Sequence, residues 1–221
     1  MPRYDAILFD LDGTLVDHDS AARHAATRLI QHYAMEGSEH ALIERWFQIE
    51  NEEFSRFERG EITHAQQRLN RMARFFATPL SEEESRRRFE VFASFYREGW
   101  RAFPDAAAAL ALAANTGATV AIFTNGARDM QAGKLAVTGL ESASISLIPT
   151  AELSCAKPDP QAYREALALL GTPAERAVMI GDNYNNDVRA ARAAGLDAVH
   201  VADPADLLEL LRTHVLGGTR P

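Results

Sequence analysis

A chain of 221 residues with 47% hydrophobic and 24% charged content has the makeup of an ordinary globular protein, long enough to bury a core as one large or two small domains. Its 31 acidic residues against 23 basic ones leave a net charge of −8, which argues against a polyanion-binding surface and so against nucleic acid as a partner. A single cysteine, Cys155, excludes an intramolecular disulfide and a thiolate metal cluster. No apolar run approaches the roughly 18 residues of a membrane span, and the opening MPRYDAILFD lacks the shape of a signal peptide, so a cytoplasmic protein is expected.

Residues 5–15, DAILFDLDGTL, form an apolar run that ends in two carboxylates one residue apart, followed by Gly13 and Thr14. Such a run predicts a buried strand, and the Asp-Gly step marks its end. Asp10 and Asp12 then stand at the strand's carboxyl end, where open α/β sheets place their ligand crevice. Two acids so close repel each other unless a cation lies between them, and a hard divalent ion suits carboxylate and carbonyl oxygens. A plain Asp-Gly turn beside a solvated acid accounts equally well for these residues alone.

From Val16 to about Gly99 the periodicity is helical throughout. Ser20 is placed to cap a helix with Ala22, Ala26, Leu29, Ile30 and Tyr33 on one face, and Leu42, Trp46, Ile49 and Phe54 fit a second. Thr63 with Gln66, and Ser81 with Glu84, have the capping-box form and open a third and a fourth. The aromatic residues here read as the insert's own core, with Phe54, Phe57 and Trp100 as candidates to face a substrate instead. Asp17, His18 and Asp19 serve equally as a polar hinge or as groups near a leaving group.

Beyond Phe103 strands and helices alternate. Strands are predicted at 118–123, 145–149, 177–181 and 197–201, with helices near 104–116, 128–138, 160–170, 186–194 and 204–213. This texture implies a parallel sheet with right-handed crossovers. The second strand ends in Thr124, Asn125 and Gly126. Residues 155–160, CAKPDP, set Lys157 before a proline, and residues 176–187, RAVMIGDNYNND, break at Gly181 and present Asp182 and Asp187. Of the 23 basic residues only Lys134 and Lys157 are lysines. A compact ammonium in the proline-flanked loop suits one phosphate oxygen in a tight pocket as a planar guanidinium does not. Lys134 reads as a surface helix residue and Cys155 as a small buried loop residue.

Strand-end acid pair, strand-end threonine, loop lysine and second acid pair, in that order, resemble the four motifs of the haloacid dehalogenase superfamily. The resemblance implies a Rossmann-like α/β core (residues 1–16 and 100–221) with a parallel sheet flanked by helices, and an inserted all-α cap at 17–99, rising over the end of the first strand. It further implies a Mg²⁺-dependent phosphatase of a small soluble phosphomonoester, in which Asp10 is the nucleophile and Asp12 the acid/base. Thr124, the Asn125 backbone amide and Lys157 would bind the phosphoryl group. Asp10, the Asp12 carbonyl and Asp182 would hold the metal, with Asp187 ordering its waters. Asn183 stands where many relatives carry serine. The chain is loosely similar to phosphoglycolate phosphatases and, over 53–63 of the cap with Arg68 and Arg71, to pyrimidine 5′-nucleotidases; Arg56, Arg59 and Arg68 are minor candidates for substrate contact. Within the family the alternatives are a phosphomutase and a dehalogenase, the latter disfavoured by an acid at Asp12; outside catalysis, a phospholigand-binding protein. A small phosphorylated metabolite is the expected partner, with no membrane, for a monomer or homodimer.

Overall fold

The computed structural model describes residues 3–217. The chain divides into two compact units: one drawn from the segments up to Asp17 and from Arg101 onward, the other running His18–Trp100.

In the first unit five parallel strands pair in the order β3-β2-β1-β4-β5, with β1 Ala6–Phe9, β2 Thr119–Thr124, β3 Ile145–Pro149, β4 Ala177–Gly181 and β5 Asp197–His200. Side chains alternate across a strand, so Ile7 and Phe9 of β1 join one core while Ala6 and Leu8 join another. Helices α5 (Ala106–Ala114), α6 (Arg128–Thr138) and α9 (Leu207–Leu210) contribute Ala109, Leu135 and Leu207 to the first core. Helices α7 (Pro160–Leu170) and α8 (Ala190–Ala193) contribute Tyr163 and Ala191 to the second. Both faces of the sheet are thus covered, as parallel sheets require. After β1 the chain winds to one side through β2 and β3, then returns to build β4 and β5 on the other. The reversal brings the carboxyl ends of β1, β2 and β4 together at the point where such sheets bind ligands.

The second unit holds α1 (His18–His32), α2 (Glu39–Glu58), α3 (His64–Phe76) and α4 (Glu82–Glu98). Thr63 and Gln66 form the full reciprocal cap, while Ser81 accepts from Glu84 N at 3.1 Å. Ser20 is not a cap: α1 already begins at His18, which places Ser20 in its first turn. Trp46 is the hub of the aromatic core, with ring centroids 5.1 Å from Phe75 and 4.2 Å from Phe92. The Arg71 guanidinium lies 4.6 Å from the Trp46 ring and pairs with Glu50, both charges being almost fully buried. Phe54 and Phe57 are half-buried, whereas Trp100 is buried. The arginines considered for substrate have other partners: Arg56 and Arg59 pair with Glu61, and Arg68 lies over Phe89. No helix among the described residues is long and apolar enough to cross a membrane.

Candidate active site

β1 ends at Phe9, but Asp10 N still donates to Ile180 O at 2.8 Å, which carries Asp10 in step with β4. The chain then folds tightly on itself. Leu15 N and Val16 N both donate to Leu11 O at 2.9 Å, and Gly13 N donates to Val16 O at 2.9 Å. Gly13 sits at φ +89°, and a β-carbon there would collide with the Asp182 carboxylate. Glycine is therefore required twice over, by conformation and by space. Thr14 ties the same turn to β4, because its Oγ1 accepts from Asp182 N at 3.0 Å and lies 3.2 Å from Asp182 Oδ1.

Lys157 is the centre of the charge arrangement. Its Nζ donates to Asp10 Oδ1 at 2.7 Å, Asp187 Oδ1 at 2.7 Å and Phe123 O at 3.0 Å, so three acceptors match the three ammonium hydrogens. The Asn125 side chain locks the lysine's loop: its Oδ1 accepts from Lys157 N at 3.0 Å and its Nδ2 donates to Lys157 O at 2.8 Å. The peptide bond from Lys157 to Pro158 is cis. Asp187 also accepts from Asn183 N at 3.1 Å, and a β-carbon on Gly181 would strike its carboxylate. The cap of the turn after β4 is Asn183, whose Oδ1 accepts from Asn185 N and Asn186 N, each at 3.1 Å. Asp182 is thereby left for other work.

Asp10, Asp182 and Asp187 each offer a carboxylate oxygen, all within 4.8 Å of one another. Burial is the largest influence on each. It pushes Asp10 up to about 7, helped by the Asp187 and Asp12 charges and opposed by Lys157. Asp182 rises to about 6 through burial and the charge of Asp10. Asp187 is also raised, although Lys157 opposes the shift. Burial alone would lower Lys157, but Asp10 and Asp187 outweigh it and raise the ammonium's pKa. Three carboxylates crowded in a poorly solvated site and strained as anions are a donor set that fits a hard divalent cation.

The expected site residues converge, but in two groups. Asp187 joins Asp10 and Asp182 in the acidic cluster, and the Asp12 carboxylate faces α6 instead. There Lys134 Nζ donates to both Asp12 oxygens at 2.6 Å, and Gln131 Nε2 lies 3.1 Å from Asp12 Oδ2. Gln131 Nε2 also donates to Thr124 Oγ1 at 2.7 Å. Lys134 is thus no surface residue: its side chain is 3% exposed. Sequence reading missed Lys134 and Gln131, and the rarity of lysine in this chain was the one available signal. Cys155 is half-buried rather than buried, and burial pushes its thiol pKa up. Outside the cluster, His200 Nε2 lies 2.8 Å from Asp182 O, bracing the end of β4.

Known proteins resemble this chain in sequence and in fold. The chain is 41% identical to a phosphoserine phosphatase of Thermus thermophilus over 114 residues, a match spanning 51% of this chain and 46% of that protein. It is 25% identical to a glyceraldehyde 3-phosphate phosphatase of Methanothermobacter thermautotrophicus over 95% of this chain and 90% of the relative. The fold superposes on the magnesium-bound HAD-hydrolase YfnB of Bacillus subtilis with a TM-score of 0.79 at 22% identity, covering 89% of this chain and 87% of that one. The haloacid dehalogenase-like hydrolase profile matches residues 4–195. The chain belongs to the haloacid dehalogenase-like hydrolase family.

Proposed function

We propose that this protein is a Mg²⁺-dependent phosphatase of a small phosphomonoester, working through an aspartyl-phosphate on Asp10. One observation carries the reading: Asp10 shares an acidic cluster with Asp182 and Asp187 while Lys157 holds its Oδ1, and a second carboxylate, Asp12, stands two residues on against a different cation. A carboxylate attacks a phosphate dianion only where cations screen the repulsion. Mg²⁺, held by Asp10, Asp182 and the Asp12 carbonyl with Asp187 beside it, would supply that screening and polarise the phosphoryl oxygens. Lys157 adds a fixed charge, and Thr124 with the Asn125 amide binds the transferring group. An Asp10 oxygen bonds to phosphorus as the ester P–O bond breaks. The leaving oxygen keeps the electron pair and takes a proton from Asp12. Asp12 then accepts a proton from the water that opens the acyl phosphate.

Residues 17–99 form the cap domain in this reading, and the rest of the chain is the catalytic core. The protein acts in the cytoplasm as a monomer or homodimer on a metabolite such as a sugar phosphate or nucleotide. A dehalogenase has no use for a proton donor at Asp12, and this chain holds one with two side chains of α6. The test is a panel of phosphorylated metabolites assayed with Mg²⁺ against an Asp10→Asn control. Phosphate release that needs Mg²⁺ and Asp10 is the expected result; full turnover in excess chelator, or by Asp10→Asn, refutes the mechanism.

A further inference from the structure

The chain's two lysines stand beside the two strand-end aspartates, one to each. Lys157 meets Asp10 and Lys134 meets Asp12, and their side chains are 2% and 3% exposed. The Asp12 carboxylate is 26% exposed, so it reaches solvent while the ammonium lies behind it. Lys134 and Gln131 are three apart on α6 and share a face. The lysine grips both Asp12 oxygens at 2.6 Å, and the glutamine bridges Asp12 to Thr124 through one amide nitrogen. Burying an ammonium is costly unless it is paired, and here the pair holds both oxygens of the Asp12 carboxylate in one direction.

We infer that Lys134 is the positioning residue for proton transfer by Asp12, with Gln131 tying that carboxylate to Thr124; the inference rests on the phosphatase reading above. In the first step the proton passes from the Asp12 carboxyl to the leaving oxygen as the P–O bond breaks. The new carboxylate is then held by Lys134 until it takes a proton from the attacking water. A group that delivers a proton matters most when the leaving oxygen is a poor leaving group, and little when it leaves unaided.

Phenyl phosphate and 4-nitrophenyl phosphate separate the cases, since phenol is a far weaker acid than 4-nitrophenol. kcat/KM covers only the steps up to loss of the leaving group, so slow opening of the aspartyl-phosphate does not enter it. Lys134→Met is expected to lower kcat/KM on phenyl phosphate by about 10²-fold, the scale of a misplaced general acid, and on 4-nitrophenyl phosphate far less. In an Asp12→Asn background the same change should cost nothing further, because residues acting as a unit are not additive. Lys134→Gln, which keeps a polar side chain without the charge, supplies the same comparison if the methionine variant does not fold. Equal losses on both esters, or a full additional loss in the Asp12→Asn background, would reduce Lys134 to a structural residue and overturn the inference. A wild-type protein inactive on both esters and on the whole panel of phosphorylated metabolites would instead overturn the phosphatase reading itself.

Discussion

At the scale of single residues, the choice between lysine and arginine has physical content here. Arginine supplies 21 of this chain's 23 basic residues, yet the group between Asp10 and Asp187 is a lysine. Its three hydrogens meet three acceptors arranged around one nitrogen, including the carbonyl of Phe123. A planar guanidinium spreads its donors across a fork and needs more room than a side chain 2% exposed is given. Lys157→Arg should therefore lose activity nearly as fully as Lys157→Ala, measured as phosphate release at saturating Mg²⁺. The alanine variant should also unfold about 3–5 kcal/mol more easily in urea without metal, because two buried carboxylates lose their shared cation. Near-native turnover by Lys157→Arg would remove the phosphate-binding role. Asp10→Asn makes the complementary test: it keeps the shape of the side chain, so the fold should survive by circular dichroism while phosphate release vanishes.

At the scale of elements, the helical unit is pinned by a charge junction between α2 and α3. Glu53, 2% exposed, accepts from Asn70 at 2.9 Å and Arg74 at 2.8 Å, and from Arg56 of its own helix at 3.0 Å. Burial alone would raise its pKa, but those hydrogen bonds and the two arginine charges outweigh burial and hold the carboxyl below the usual range. A depressed folded pKa means stability that is fully present above the unfolded value and is lost as pH falls through the folded one. Glu53→Gln should thus lower Tm at neutral pH, and the gap from wild type should close below about pH 4; a constant gap across that range would deny the carboxylate its role. None of this junction was legible in the sequence. The capping box at Thr63 and Gln66 was, because three residues of chain contain the whole interaction. The strand ends at Asp10, Thr124 and Asp182 were legible too, since an apolar run that breaks at a polar residue or glycine marks its own end. What Glu53 binds, or that Arg71 packs on Trp46 beside Glu50, depends on which helix faces lie together, and periodicity does not encode that. Lys134 was misread for the same reason: only the fold brings Asp12 to it.

At the scale of the molecule, the acidic cluster would couple stability to protons and, in the function proposed above, to metal. Asp10 is pushed up to about 7 and Asp182 to about 6, and Asp187 is raised as well, in each case chiefly by burial. An unfolded aspartate titrates near ~3.9, so between these values the native protein holds more protons than the unfolded chain. Stability then falls as pH rises through that window, the reverse of the Glu53 contribution. Lys157 does not mask the trend: its raised pKa leaves it charged throughout, and its stabilisation is lost only at far higher pH. Without metal, the protein should melt at a lower temperature at pH 8 than at pH 5.5. A divalent ion bound to the ionised cluster replaces those protons and stabilises the folded state by mass action. Millimolar Mg²⁺ should accordingly raise Tm by several degrees at pH 8 and by little at pH 5.5, read by scanning calorimetry. Asp182→Asn should remove most of the Mg²⁺ shift while leaving the metal-free protein no less stable at pH 8, since it relieves one of three crowded charges. A Mg²⁺ shift equal at both pH values, or one that survives Asp182→Asn intact, would place the metal elsewhere than among Asp10, Asp182 and Asp187.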